Sequence, residues 1–260
     1  GNGRKITVKT LNGTKWETVG VAGFSAGNAS YISIKINSSG IPYVAYKDSV
    51  NNGKITVMKY NGTAWVTVGT AGFSPGDAYH ISFALDPSDV PYVAYRDADN
   101  TGKIAVMKFN GATWEAVGAA GFSAGAAQYI SLTIDGSGVP YVAYQDGSLA
   151  SKATVMEFNG TSWDVVGTTG FTAGSTQYTS LILNASSVPY LAYQDGNNSG
   201  KVSVMKFNGT IWEDVGTTGF STGQANYVSL SLNSTGTPYV TYVDNGNGGK
   251  AVVQMFDGTN

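Results

Sequence analysis

The single histidine of this 260-residue chain, His80, stands next to Tyr79 and three residues from Asp77. A histidine in a ligand site changes charge near neutrality, so an affinity that varies between about pH 5 and 7.5 is the expectation here. Catalysis asks for more than one such group, and the sequence is poor in them. It has no cysteine, no zinc-type histidine spacing and no serine elbow in a strand-to-helix setting. A glycosidase needs only two carboxylates in unequal environments. The acids Asp77, Asp89, Asp99, Glu157 and Asp214 could supply a pair, but nothing in the sequence places two of them together. Asp97 and Asp99 stand two apart in a polar loop, a spacing compatible with calcium. The equivalent loops lack the second acid, and calcium wants six to eight oxygens. No other cofactor is implied, and the chain reads as a non-enzyme.

His80 shares its place with tyrosines. Tyr31, Tyr129, Tyr178 and Tyr227 occupy the same point in a recurring pattern, and the residues just before them are variable and polar: Asn28, Asp77, Gln128, Gln177 and Asn226. Aromatic platforms beside amides and carboxylates suit a sugar ring, whose apolar face stacks while its hydroxyls hydrogen-bond. The competing reading is packing, with tyrosines filling space between sheets.

The elements that must hold these residues are written in the repeat. Trp16, Trp65, Trp114, Trp163 and Trp212 recur at a constant spacing of 49 residues without insertion or deletion. Each is followed by Val-Gly, Gly-Phe, Pro-Tyr and an Asp, as at Val68-Gly69, Gly72-Phe73, Pro91-Tyr92 and Asp97. Within a unit the apolar period is two, as in Ile32, Ile34 and Ile36, which marks strands. Four strands are expected per unit: c (about 31–36), d (42–47), a (54–60) and b (64–68). Tight turns such as Asn37 to Gly40 and Asn61-Gly62 join neighbours into an antiparallel meander. The longer b-to-c link is long enough to step to the next sheet.

Radially repeated four-stranded meanders of this length are propeller blades. The chain begins with strands a and b and stops after c, d and a, so each terminus holds part of a blade that the other lacks. The expectation is therefore an all-β, five-bladed propeller closed between its termini, one domain over residues 1–260, with one surplus copy of strand a. An extended solenoid is the rival architecture. The d-to-a and b-to-c loops should share one face. They also hold the variation between units, which makes that face the candidate for binding. The Asp48 to Lys54 interval and its copies look structural, with the Asp accepting backbone N–H groups and the Lys pairing with it.

A formal charge of −2 gives no field for steering nucleic acid. No apolar run reaches membrane length. A disulfide-free chain rich in Asn, Ser, Thr and Gly fits a secreted or surface location, with a glycan, a cell-surface ligand or a protein as partner. Asn12, Asn28, Asn37, Asn61, Asn159, Asn184, Asn197, Asn208 and Asn233 match the N-glycosylation pattern, but turn chemistry accounts for most of them.

The motifs Trp114 to Gly118, Gly121 to Gly125, Ser131 to Asp135, Pro140 to Asp146 and Lys201 to Gly209 resemble bacterial secreted and surface β-propeller repeats. The resemblance spans nearly the whole chain and departs from the pattern at Lys9 to Leu11 and Gln254 to Phe256. It implies the propeller fold but no single activity. The layout is also similar to five-bladed lectins, whose binding motifs are not recognisable here. The resulting expectation is a non-catalytic, lectin-like module, with a structural or adhesion scaffold as the alternative and a glycoside hydrolase behind both.

Overall fold

A computed structural model describes residues 3–259. Alternating, β-branched segments form strands throughout. The first hairpin pairs β1 (Lys9–Asn12) with β2 (Lys15–Thr18). A sheet follows from β3 (Ala29–Ile36), β4 (Pro42–Asp48), β5 (Lys54–Tyr60) and β6 (Trp65–Thr67), and a second from β7 (Ala78–Leu85), β8 (Pro91–Asp97), β9 (Lys103–Phe109) and β10 (Trp114–Ala116). The third sheet holds β11 (Ala127–Ile134), β12 (Pro140–Asp146), β13 (Lys152–Phe158) and β14 (Trp163–Val165). The fourth holds β15 (Thr176–Leu183), β16 (Pro189–Asp195), β17 (Lys201–Phe207) and β18 (Trp212–Asp214), and the last β19 (Ala225–Leu232), β20 (Pro238–Asp244) and β21 (Lys250–Met255). Every pairing is between sequence neighbours and antiparallel. The fold is an all-β, five-blade propeller whose blades have four strands, except the last with three.

The blades fall into two compact units, one ending at Gly121 and the other starting at Phe122. In the first, Tyr43, Ala45, Ile55 and Val57 of one sheet pack on Ile81, Phe83, Val93 and Tyr95 of the next. In the second, the same face-to-face packing puts Tyr141, Ala143, Ala153 and Val155 on Leu181, Leu191 and Tyr193, and Ala192, Val202 and Val204 on Val228, Leu230 and Val240. Burial of such faces is the main stabilising term for a disulfide-free scaffold.

In the four-stranded sheets the recurring tryptophan locks strand b to the loop that opens its own blade. Trp65 stacks on Phe24 (4.2 Å between centroids, 5° between planes), and its Nε1–H donates to Val19 O at 2.8 Å. Trp114 repeats this with Phe73 and Val68 O, and Trp212 with Phe171 and Val166 O. The glycine after each valine has a positive φ, and a Cβ on Gly20 would lie 2.9 Å from Tyr60 and 3.1 Å from Trp65. Only glycine admits that approach.

Of the two copies of strand a, β1 pairs with β2 and β21 with β20, each within its own unit. The apolar face of strand c is not equally buried in every copy. Ile81 and Phe83 are buried against the preceding sheet, whereas Ile32, Ile34 and Ile36 of the first copy are exposed. The opening segment packs with Val44, Tyr46 and Trp65 through Ile6 and Val8.

Candidate functional site

The long loops do come together, for a definite reason. Each d-to-a loop donates a backbone N–H to a carbonyl of the b-to-c loop: Ser49 to Asn28 O (3.1 Å), Ala98 to Asp77 O (3.1 Å) and Gly196 to Ser175 O (2.8 Å). The Asp at the mouth organises the turn. Asp48, almost fully buried, accepts from Val50 N (3.2 Å), Asn51 Nδ2 (2.8 Å) and Thr56 Oγ1 (2.8 Å). Asp97 does the same with Asp99 N (3.1 Å) and Asn100 Nδ2 (2.5 Å). Its oxygens therefore serve the turn just as its copies do, and among the described residues no three His, Cys, Asp or Glu converge. The partnering lysine is a correction. Lys54 stands opposite Asp48 in the ladder, but no ion pair joins them among the described residues.

The tyrosines and His80 are presented by a bulge. The β3–β4 register slips between Ser30 and Ser33, and the same slip recurs at Tyr79/Ser82, Gln128/Ser131, Gln177/Ser180 and Asn226/Ser229. The bulged residues have left-handed backbones: φ is 49° at Tyr31, His80 and Tyr129, 51° at Tyr178 and 55° at Tyr227. For a bulky side chain that conformation costs roughly 1–2 kcal/mol. A strain repeated in every blade re-aims one ring per blade off the sheet.

In the second unit the rings form a row. Tyr129 and Tyr178 are 5.0 Å apart and Tyr178 and Tyr227 5.2 Å, tilted by 55° and 51°. Tyr227 is 71% exposed. Tyr129 Oη donates to Gln177 Oε1 at 3.2 Å, Gln194 Nε2 donates to Asn226 Oδ1 at 3.2 Å, and Gln128 is exposed. In the first unit Tyr31 lies 5.5 Å from His80 and 6.0 Å from Tyr79. Lys47 Nζ sits 3.5 Å above the Tyr79 ring and pairs with Asp77. Burial pushes the Asp77 carboxyl upward, but Lys47 and Tyr79 outweigh it and hold it below its ordinary value. Burial, then Arg96, lowers the His80 pKa. Asn28 is exposed and contributes its carbonyl to the loop contact.

Sequence reasoning missed the residues that differ most beneath these rings. Lys47, Arg96, Gln145, Gln194 and Val243 pair directly with the residue before the bulge, as Ser30 with Lys47 and Gln128 with Gln145. The first unit thus carries cations where the second carries two amides and a valine. The signal was available: this is the variable position inside Pro-Tyr-Val-Ala-Tyr-x-Asp.

Several of the acids are engaged in structural contacts. Asp89 accepts from Ser38 N (2.9 Å) and Ser38 Oγ (2.5 Å) in a tight turn. Asp214 is raised by burial and then by Asp195, yet Asp195 already accepts from Asn197 N, Asn198 Nδ2 and Ser203 Oγ. The repeated serine is also committed, since Ser74 Oγ accepts from Ile55 N (3.0 Å) and donates to Gly76 O (2.9 Å). Concave space also occurs at the opposite, tight-turn end. A cavity of about 430 Å³ lies among Tyr43, Lys59, Asp86, Asp89, Tyr92 and Lys108, and one of about 350 Å³ beside Tyr141 and Glu157. There the Asn of each Asn-Gly turn caps its own loop, as Asn61 Oδ1 accepts from Thr63 N and Ala64 N.

No protein-family model and no curated protein matches the sequence. Solved structures do share the fold. AofleA from Arthrobotrys oligospora superposes with a TM-score of 0.65 at 11% identity, over 98% of this chain and 76% of that one. An ulvan lyase of polysaccharide lyase family PL25 gives 0.59 at 11% identity, over 95% and 68%. The exo-β-1,3-galactanase 1,3Gal43A from Clostridium thermocellum gives 0.53 at 13% identity, over 95% and 62%. The fold is thus one that enzymes also use, and at these identities the resemblance concerns the fold alone.

Proposed function

We propose that the chain is a non-catalytic glycan-recognition module acting outside the cell, which binds through the tyrosine row carried by the strand bulges. The observation that carries this reading is the series Tyr129, Tyr178 and Tyr227, held about one ring apart at the cost of a left-handed backbone at each position. Gln128, Gln177 and Asn226 lie one residue before these rings in sequence and supply amides for sugar hydroxyls. Two proteins that share the fold, the ulvan lyase and the galactanase, act on polysaccharides by name, which supports a saccharide ligand. The engaged states of Asp97, Asp195 and Ser74 favour recognition over hydrolysis. Adjacent weak sites on one rigid body raise avidity along a repetitive polymer.

The test is a glycan array with and without calcium, followed by titration of a hit against wild type and Tyr178→Ala. The expected result is at least a tenfold weaker affinity for the variant with unchanged thermal unfolding, from loss of about 1.4 kcal/mol or more of stacking. Absence of binding across neutral and acidic polysaccharides, or equal binding by both proteins, overturns the reading.

A further inference from the structure

The two units differ in how they use the strand-d residue that stands opposite the one before each bulge. In the second unit Gln145 and Gln194 are almost fully buried, and each spends its amide on a backbone carbonyl, Gln145 Nε2 on Thr176 O and Gln194 Nε2 on Ala225 O. In the first unit the same position holds Lys47 and Arg96, both half-buried. A cation drawn partly out of water costs free energy unless a counter-charge answers it.

Lys47 is answered. Its Nζ pairs with Asp77 and sits 3.5 Å above the Tyr79 ring, which holds that ring in place. Arg96 is not. Asp97 is taken up by its own turn, through Asp99 N and Asn100 Nδ2, and the Asp99 carboxylate lies against Gly76. No ion pair among the described residues engages Arg96. Its position is nonetheless set by the backbone: Gly102 has a φ of 76°, and a Cβ there would lie 2.6 Å from Arg96 Nε and 2.9 Å from Nη2. The guanidinium therefore rests on the d-to-a loop, near enough to His80 to lower its pKa. Aromatic rings surround it. Tyr79 stands opposite Arg96 in the ladder, and the exposed Tyr31 ring lies 6.0 Å from Tyr79 and 5.5 Å from His80.

We propose that Tyr31, Tyr79, His80 and Arg96 form a subsite of their own in the first unit that takes an acidic sugar, with the sugar ring on Tyr31 and its carboxylate on Arg96. The planar fork of a guanidinium matches the two oxygens of a carboxylate, which is the counter-charge that the fold leaves out. An aromatic surface with one adjoining cation complements a ring that carries a single negative charge at one edge. Lys47 is a positioning residue, since its charge is already spent on Asp77. That the ligand is a saccharide rests on the glycan reading; that it is acidic rests on Arg96.

The experiment is calorimetric titration of the full chain with a panel of oligouronates, each paired with its methyl ester, which keeps the ring and removes the charge. A sulfated neutral galactan oligosaccharide is the third arm. The acid should bind at least tenfold more tightly than its ester, and the difference should shrink as salt is raised. Arg96→Gln, which installs the residue found at this position in the second unit, should abolish that difference without changing thermal unfolding. Equal affinity for acid and ester, or a preference that survives Arg96→Gln, overturns the proposal. A sulfated oligosaccharide bound more tightly than every uronate overturns the carboxylate assignment. The glycan reading has a separate signature, the loss caused by Tyr178→Ala: that loss without any acid preference sinks the subsite alone, whereas no binding in any arm sinks both.

Discussion

Replacing Trp212 by alanine should remove one of the larger contributions that a side chain makes to the second unit, and replacing Trp16 should remove very little. Trp212 is 7% exposed, stacks on Phe171 at 4.3 Å, leans on Phe207 at 5.7 Å and donates to Val166 O at 2.9 Å. A tryptophan offering about 250 Å² removes roughly 230 Å² from water at this burial, or about 6 kcal/mol as an upper bound at ~25 cal/mol/Å². Partial collapse around the gap and the compactness of the unfolded chain bring the expected loss to about 3–5 kcal/mol. Trp16 is 66% exposed, so the same arithmetic gives about 2 kcal/mol as an upper bound and about 1 kcal/mol or less in practice. Urea unfolding of both variants under dilute conditions, followed by circular dichroism with the slope held common, compares them directly. Equal losses, or a loss below about 1 kcal/mol for Trp212→Ala, would refute the view that the stacked indole is what fastens each blade.

Two further predictions concern ionisable groups. Asp195→Ala strips the acceptor from Asn197 N, Asn198 Nδ2 and Ser203 Oγ and should cost on the order of 3 kcal/mol, measured by the same unfolding assay. His80 has its pKa lowered by burial and by Arg96, so the folded chain declines a proton that the unfolded chain accepts near its ordinary value of about 6.5. Its contribution is complete above that pH and is lost as pH falls through the folded pKa. His80→Tyr should therefore flatten the acid side of the stability curve, and identical slopes below about pH 6.5 would contradict the assignment.

Much of the fold was legible because a 49-residue period with no insertion forces every unit into the same local structure. Period-two apolar segments, Asn-Gly turns and the Pro-Tyr pair located the strands, which begin at Pro42, Pro91, Pro140, Pro189 and Pro238 as the repeat requires. The variable loop positions also pointed to the loops that meet, since the Asn28, Asp77 and Ser175 carbonyls accept from the neighbouring d-to-a loops. The bulge before Ser33 was not legible. A slip in register depends on which partner strand is opposite, and nothing in Tyr31 or His80 announces a positive φ.

Sequence by itself determined the element order, the antiparallel meander and the set of residues free to vary, because these follow from local periodicity and turn chemistry. Tertiary structure decided which equivalent residues have equivalent surroundings. Trp16 and Trp212 are the same letter in the same motif, yet one is exposed and the other enclosed, because enclosure needs the Val-Gly and Gly-Phe loop that opens the blade. Ile34 and Phe83 likewise differ only in whether a preceding sheet lies against them. Burial is a property of the neighbour as much as of the residue.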